Sequence, residues 1–291
     1  MPVPAPPLGT GWDIASITDG EFARFADLIR DQTGIHLRDH KRQLLVARLG
    51  QRLRALGLST FSAYYQFLVC DTSGNELLTM INRVTTNKTS FFREPHHFEF
   101  IRSHVIPQVK REGGRQLRIW SAGCSSGEEP YSIAMTLLQA LGSHNAWDLR
   151  ILATDIDSDV LEQASAGMYD MELLEEVPPE LWGKYFLRGY GEFEGLARVR
   201  PELRKMIAFR RLNLSKHDWG IHDLFDIVFC RNVIIYFERP VQDRIVRSLA
   251  SHLRPGGYYF SGHSENLHYV HDVLVTVETS IYQAKPGGNG A

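Results

Sequence analysis

Apolar positions in the first third of the chain recur at helical spacing. Phe22, Phe25 and Ile29 follow a Thr18/Glu21 pair spaced as a capping box, and the run stops at Gly34. This predicts one helix. A second is expected from Arg38 to Ala55. A third is capped by Ser59 or Thr60 and carries a buried stripe of Phe61, Tyr64, Tyr65 and Leu68, and a fourth is marked by Leu77, Leu78, Ile81 and Val84. No strand-like alternation intervenes, so residues 15–90 predict a compact helical domain.

From Leu117 the pattern changes. Leu117 to Ser121, Leu149 to Thr154, Phe225 to Cys230 and Tyr258 to Gly262 read as strands. Between them Ile133, Leu137 and Leu141 mark one helix, and Val241, Ile245, Leu249 and Leu253 mark another that should run into the turn Arg254-Pro255-Gly256-Gly257. Strands alternating with helices predict an α/β fold, a doubly wound Rossmann-like parallel sheet covered by helices, over 91–291. Residues 184–211 break the alternation with Gly189, Gly191 and Gly195 between short strand-like runs, and predict a small antiparallel β insertion.

Composition narrows the class. With 291 residues and 43% hydrophobic content the chain can bury a large core. The 32 basic and 34 acidic residues nearly cancel, which gives no global electrostatic reason to bind nucleic acid. Cys70, Cys124 and Cys230 are odd in number and far apart, so neither a disulfide framework nor a metal site is expected, and a reducing cytoplasm fits. Residues 1–14, rich in Pro and Gly, read as a disordered leader without a signal-peptide pattern. No stretch approaches the ~18 apolar residues of a membrane span, so membrane insertion is not expected. A monomer is the default.

Candidate chemistry falls at the ends of strands, where doubly wound sheets place ligands. After the first strand comes SAGCSSGEEP, whose small residues would let the backbone approach a ligand and whose Ser126, Glu129 and Pro130 are spaced as a capping box with a first-turn proline. It is not GxGxxG. Glu128 and Glu129 would repel a pyrophosphate but suit the ammonium of an amino acid; alternatively they only favour a helix N-terminus. The second strand ends at Asp155 and Asp157. The first of these has the place of a ribose ligand, while the second reads better as a helix cap. The connection GSHNAWD accounts for the long spacing from the glycine loop. Arg231 and Asn232 follow FDIVFC abruptly and either face the ligand crevice or are satisfied locally.

TTNKTSFFREPHHF, WSAGCSSGEEPYSIAM, TDID, FDIVFCRNVIIYF and RPGGYYFSGHSEN resemble, in order and spacing, the chemotaxis receptor glutamate methyltransferases of the CheR family. The resemblance spans nearly the whole chain. It implies a class I methyltransferase sheet, S-adenosyl-L-methionine as cofactor with S-adenosyl-L-homocysteine as product, and no metal. It further implies that Asn87, Thr89 and Arg93 contact the methionine part and active site, Glu129 the amino-acid end and Asp155 the ribose. Asn213 and Leu214 would flank the adenine, Arg231 and Asn232 complete the pocket, and Tyr236 line the methyl-transfer site. Lys88 and Cys124 depart from the family pattern without removing a matched ligand. Arg93 is the candidate for orienting the acceptor carboxylate, or else an ion-pair partner between domains.

The same resemblance makes bacterial chemoreceptors the expected partners, through their methylation helices and possibly their C-terminal tail, at membrane-bound arrays. Arg38, Lys41, Arg42, Arg48, Arg52 and Arg54 face a single acid, Asp39, in the second helix. Arg48, Arg52 and Arg54 are thus candidate recognition residues for acidic methylation helices. Two rival classes remain. A nucleic-acid methyltransferase would need an Asn/Asp-Pro-Pro-aromatic motif or a cysteine nucleophile near a proline, and a catalytically silent docking module would not need every matched ligand.

Overall fold

The computed structural model describes residues 16–141 and 146–285. The expected leader, most of the connection GSHNAWD and the end of the chain lie outside them. Contacts divide the chain after Thr85 into two compact units.

In the first unit, α1 (Asp19–Thr33) begins at the foreseen capping box, Thr18 accepting from Glu21 N and the Glu21 side chain accepting from Thr18 N, and ends at Gly34 with φ 76°. Helix α2 (Arg42–Leu56) starts later than Arg38, because Asp39–Lys41 forms a 3₁₀ turn behind an extended, uncapped Arg38. Thr60, not Ser59, caps α3 (Phe61–Cys70), and α4 (Asn75–Val84) completes the unit. The core gathers around Phe25, which stacks on Tyr64 and meets Phe61 and Tyr65 edge-on. Tyr65 itself is only half-buried.

The second unit opens with Thr86, and its first residues are already bonded into it. Asn87 donates to Asp157 Oδ2 at 2.6 Å, and its carbonyl accepts from Ser125 Oγ at 2.9 Å. A helical segment with no counterpart in the sequence reading follows, α5 (His96–Phe100), a π-type turn at Ile101–Val105 and α6 (Ile106–Arg111). Then come β1 (Gln116–Ala122), α7 (Glu128–Leu141), β2 (Asp148–Asp155), α8 (Ser158–Ala166), β3 (Met168–Asp170), α9 (Pro179–Tyr185), β4 (Phe186–Arg188), β5 (Leu196–Val199), α10 (Pro201–Arg204), β6 (Ile207–Arg211), β7 (Phe225–Cys230), α11 (Arg239–Ser251), β8 (Leu253–Ser261), β9 (Leu274–Glu278) and β10 (Ile281–Ala284).

Seven strands form one sheet in the order β6-β2-β1-β7-β8-β10-β9. The first five are parallel, and β10 slots antiparallel between β8 and β9. The order reverses between β1 and β7, which makes the crevice beyond their C-terminal ends the switch point. Trp120, fully buried, donates from its indole to Thr154 Oγ1 at 2.9 Å and so locks β1 to β2 near that end.

Two sequence expectations change. The small antiparallel sheet is β3-β5-β4, so it begins at Met168, before 184, while Ile207–Arg211 pairs in parallel with β2 as the edge of the main sheet. Helix α11 stops at Ser251, and Leu253 pairs with Phe225 as the start of β8. The Pro-Gly-Gly segment lies within the irregular beginning of that strand, where Arg254 Nη1 bonds Asp226 at 2.8 Å.

Candidate active site

Among the described residues five non-glycine residues have φ between 50° and 59°: Phe92, Glu94, Ser125, Asn232 and Ser280. Such conformations are strained and persist where surrounding bonds over-determine them. Ser125 and Asn232 lie in the loops after β1 and β7, Phe92 and Glu94 in the segment before α5, and Ser280 in the turn between β9 and β10, where its carbonyl accepts from Ser261 N at 2.9 Å.

After β1, the amides of Gly123 and Cys124 both donate to Thr154 O, at 2.7 and 3.0 Å, which turns the chain back over the end of β2. Backbone conformation and packing both require the glycines: φ is 86° at Gly123 and 98° at Gly127, and a Cβ would lie 2.4 Å from Val233 Cγ2 at the first and 2.8 Å from Ala164 Cβ at the second. Ser125 N donates to Asp155 Oδ2 at 2.8 Å, and Asp157 N to Asp155 Oδ1 at 3.0 Å. The Asp155 carboxylate is thereby fixed at the end of β2 with acceptor capacity left on each oxygen. Burial pushes its carboxyl above the usual range, against the pull of those amides. Asp157 caps α8, accepting from Asp159 N and Val160 N, as its spacing suggested.

The capping box read at Ser126 and Glu129 does not form. Ser126 Oγ donates to Glu128 Oε2 at 2.7 Å, and Glu129 turns to tertiary partners. It accepts from Ser121 Oγ at 2.7 Å, and its Oε2 lies 2.9 Å from Arg231 Nε in ionic contact. Burial raises the Glu129 carboxyl, and Arg231 opposes that rise. The guanidinium has two further partners: Nη2 donates to Arg93 O at 2.6 Å and Nη1 to His97 Nδ1 at 2.9 Å. With Nδ1 accepting, His97 carries its proton on Nε2 and donates to Ser280 Oγ at 2.9 Å, which in turn donates to Thr279 O. Burial first, and Arg231 next, push the His97 pKa down to about 2, so the ring is neutral.

Asn232 is held from the other side. The buried Glu265 accepts from the amides of Asn232, Val233, Ile234 and Gly262, at 2.7 to 3.0 Å. A Cβ at Gly262 would fall 2.4 Å from Asn232 Nδ2, so glycine is required there.

Asn87, Thr89, Arg93, Glu129, Asp155, Arg231 and Asn232 thus belong to one unit and to the loops at the ends of β1, β2 and β7 or the segment bonded to them. Arg93 Nη1 donates to Lys88 O at 2.9 Å, which holds its half-buried side chain within the segment. Asn213 and buried Leu214 follow β6, whose next amide, Leu212 N, donates to Asp155 O at 2.8 Å. Half-buried Tyr236 closes a 3₁₀ turn, Ile234–Tyr236, after β7. His97 and Glu265 were not singled out from the sequence. Both stand in the quoted motifs, but most of their partners are distant in the chain.

The candidate recognition residues divide differently. Arg52 forms a two-point bond to buried Glu76, at 2.9 and 2.6 Å, and Tyr64 donates to the same carboxylate at 2.8 Å. Burial pushes Glu76 up, but these partners outweigh it and leave the carboxyl below its usual range. Arg48 Nη1 donates to the carbonyls of Val84 and Thr85, both at 2.6 Å, at the C-terminus of α4. Both side chains therefore hold the helical unit together, whereas Arg54 is exposed.

The sheet order, the antiparallel penultimate position of β10 and the acidic ends of β1 and β2 define a class I methyltransferase fold. Comparison with known proteins gives the same class and narrows it. Residues 87–283 match the family described as "CheR methyltransferase, SAM binding domain" and residues 20–85 match "CheR methyltransferase, all-alpha domain". The chain is 42% identical to chemotaxis protein methyltransferase 2 of Pseudomonas aeruginosa, over 97% of this chain and 99% of that one. It is 44% identical to the chemotaxis protein methyltransferase of Salmonella typhimurium, over 86% of this chain and 85% of the relative. For that of Escherichia coli the identity is 43%, over 88% and 87%. The chain belongs to the CheR methyltransferase family, and its cofactor is S-adenosylmethionine.

The donor set suits that cofactor. Fixed carboxylates at Asp155 and Glu129 offer acceptors for hydroxyl and ammonium groups, and Arg231 and Arg93 offer cations beside them. Among the described residues no group of three or more side chains is placed to hold a metal ion, and no helix is long and apolar enough to cross a membrane.

Proposed function

We propose that this methyltransferase esterifies glutamate side chains of bacterial chemoreceptors, producing glutamyl methyl esters that adapt chemotactic signalling. The observation that carries the reading is that a relative matched over 97% of the chain is named a chemotaxis protein methyltransferase. When bound, S-adenosylmethionine supplies a methyl group already activated on a positively charged sulfur. Asp155, held by two amides, receives the ribose hydroxyls; Asn213 and Leu214 flank the adenine; Asn87, Thr89, Glu129, Arg231 and Asn232 surround the amino-acid end.

The acceptor needs little activation. Glutamate has an ordinary pKa of about 4.3, so it is ionised at neutral pH and requires no general base. This agrees with His97, the buried imidazole of the site, having both ring nitrogens engaged and no capacity to take a proton. Arg93 orients the incoming carboxylate, and Tyr236 lines its approach. Alignment and loss of water around the carboxylate supply the catalysis.

The enzyme acts in the cytoplasm as a monomer recruited to receptor arrays. The small sheet is the place for a receptor tail to add as a strand: β4 is its edge, and Leu187, Tyr190 and Phe193 beside it are exposed. Incubation of the full chain with methyl-labelled cofactor and receptor-bearing membranes tests the function. Label on receptor that alkali releases as methanol is expected, and alkali-stable label would contradict it.

A further inference from the structure

We propose that Glu94, together with Glu129, binds the α-ammonium group at the amino-acid end of the cofactor. The inference rests on the placement of that end beside Glu129. The Glu94 side chain is only 10% exposed, and Glu94 Oε2, buried, meets no hydrogen-bond donor among the described residues. Its nearest cationic candidate, His97 Nδ1 at 3.6 Å, accepts a bond from Arg231 and so carries no proton to share. The other oxygen, Oε1, accepts from His263 N at 3.2 Å. A buried carboxylate oxygen without a partner is costly, and native structures retain one where function uses it.

The backbone holds it there. Glu94 has φ 57°, a conformation unfavourable for a glutamate. It persists because Arg231 Nη2 grips the preceding carbonyl of Arg93 at 2.6 Å and His97 N donates to Glu94 O at 3.1 Å. The same guanidinium that fixes Glu94 contacts Glu129 at 2.9 Å, and Glu94 is near enough to Glu129 to disfavour its ionisation. Arg231 pairs with Glu129 and Arg93 also lies near enough to favour its charged form, beside an imidazole that stays neutral. Neither guanidinium donates to Glu94 Oε2, which stays open to a further donor. No third metal ligand joins the two carboxylates among the described residues, so a compact organic cation completes the group, and an ammonium with three donors matches two acceptors.

Calorimetric titration of the full chain and its Glu94→Gln variant distinguishes the possibilities. The ligands are S-adenosylmethionine, S-adenosylhomocysteine and 5′-methylthioadenosine, the last lacking the amino-acid end. The variant keeps the size of the side chain and removes its charge. We expect roughly tenfold or greater weakening for both amino-acid-bearing ligands, the effect of losing one charge-assisted hydrogen bond, with methylthioadenosine affinity unchanged. Weakening of S-adenosylmethionine alone would place the sulfonium at Glu94 and overturn the proposal. Equal weakening of all three would make Glu94 a structural residue, and no change would remove it from the site. If the wild-type chain bound none of the three, the placement of the cofactor itself would fall.

Discussion

Arg231 and Glu129 meet at the switch point of the sheet, guanidinium Nε 2.9 Å from carboxylate Oε2, with side chains only 3% and 10% exposed. One comes from the end of β7 and the other from the first turn of α7, so the pair joins the two loops between which the order of strands reverses. Removing one partner of a buried pair leaves the other charge uncompensated, at a cost of about 3–5 kcal/mol. Arg231→Ala should lower the unfolding free energy in urea by about that amount and abolish cofactor binding. A loss below about 1 kcal/mol would show that the pair is solvated in solution.

His97 makes the fold sensitive to acid. Its folded-state pKa is depressed to about 2 from an ordinary 6.5, so its contribution to stability is present above pH 6.5 and is lost progressively as pH falls from there toward 2. One such group gives a slope of at most about 1.4 kcal/mol per pH unit. His97→Gln, which still accepts from Arg231, should flatten the dependence of stability on pH between 6.5 and 4, measured by denaturant titration at each pH. An unaltered slope would place the acid sensitivity elsewhere.

Asp155 anchors two loop amides and is the proposed ribose acceptor, and one substitution separates the two. Asp155→Asn keeps an oxygen for one of the two amides it accepts but removes the charge offered to the ribose. Cofactor affinity should fall by about 1–3 kcal/mol while the unfolding midpoint moves little. An unchanged dissociation constant would leave Asp155 as a loop anchor for Ser125 and Asp157.

What the sequence disclosed follows physical range. FDIVFC is a short apolar run bounded by polar residues, and its strand matches residue for residue. The helical spacing of Val241 to Leu249 extends by coincidence to Leu253, whose true partner is Phe225 across the sheet. Met168–Asp170 is too short to announce itself as a strand, and Ile207–Arg211 looks like part of the insertion until β2 is placed beside it. At the site, Asp157 is legible because a cap is a local bond. The fate of Glu129 is not, because a capping box and an ion pair to Arg231 use the same residue and only the second depends on the folded sheet. Arg48 and Arg52 show the same limit. A charge run reads as a binding face until Glu76 and the carbonyls ending α4 are seen to use it.

That division changes how receptor recognition is tested. Arg52→Glu would set a second carboxylate against buried Glu76 and should destabilise the helical unit by about 3–5 kcal/mol, so lost methylation would say nothing of docking. Arg54→Glu, at an exposed position, should change stability by no more than about 0.5 kcal/mol yet slow receptor methylation at low salt. Its deficit should narrow as salt rises, because screening acts over about 8 Å at physiological ionic strength. A salt-independent rate equal to that of the wild type would remove Arg54 from recognition.

The identity of the modified atom is the most direct test of glutamate esterification. Chemoreceptors incubated with the full chain and S-adenosylmethionine carrying an isotopically labelled methyl group should yield, on peptide mass spectrometry, labelled methyl on glutamate side chains of the cytoplasmic helices. Replacing those glutamates by alanine should abolish it. Labelled methyl on lysine, arginine or nucleic acid, with glutamates unmodified, would contradict the account.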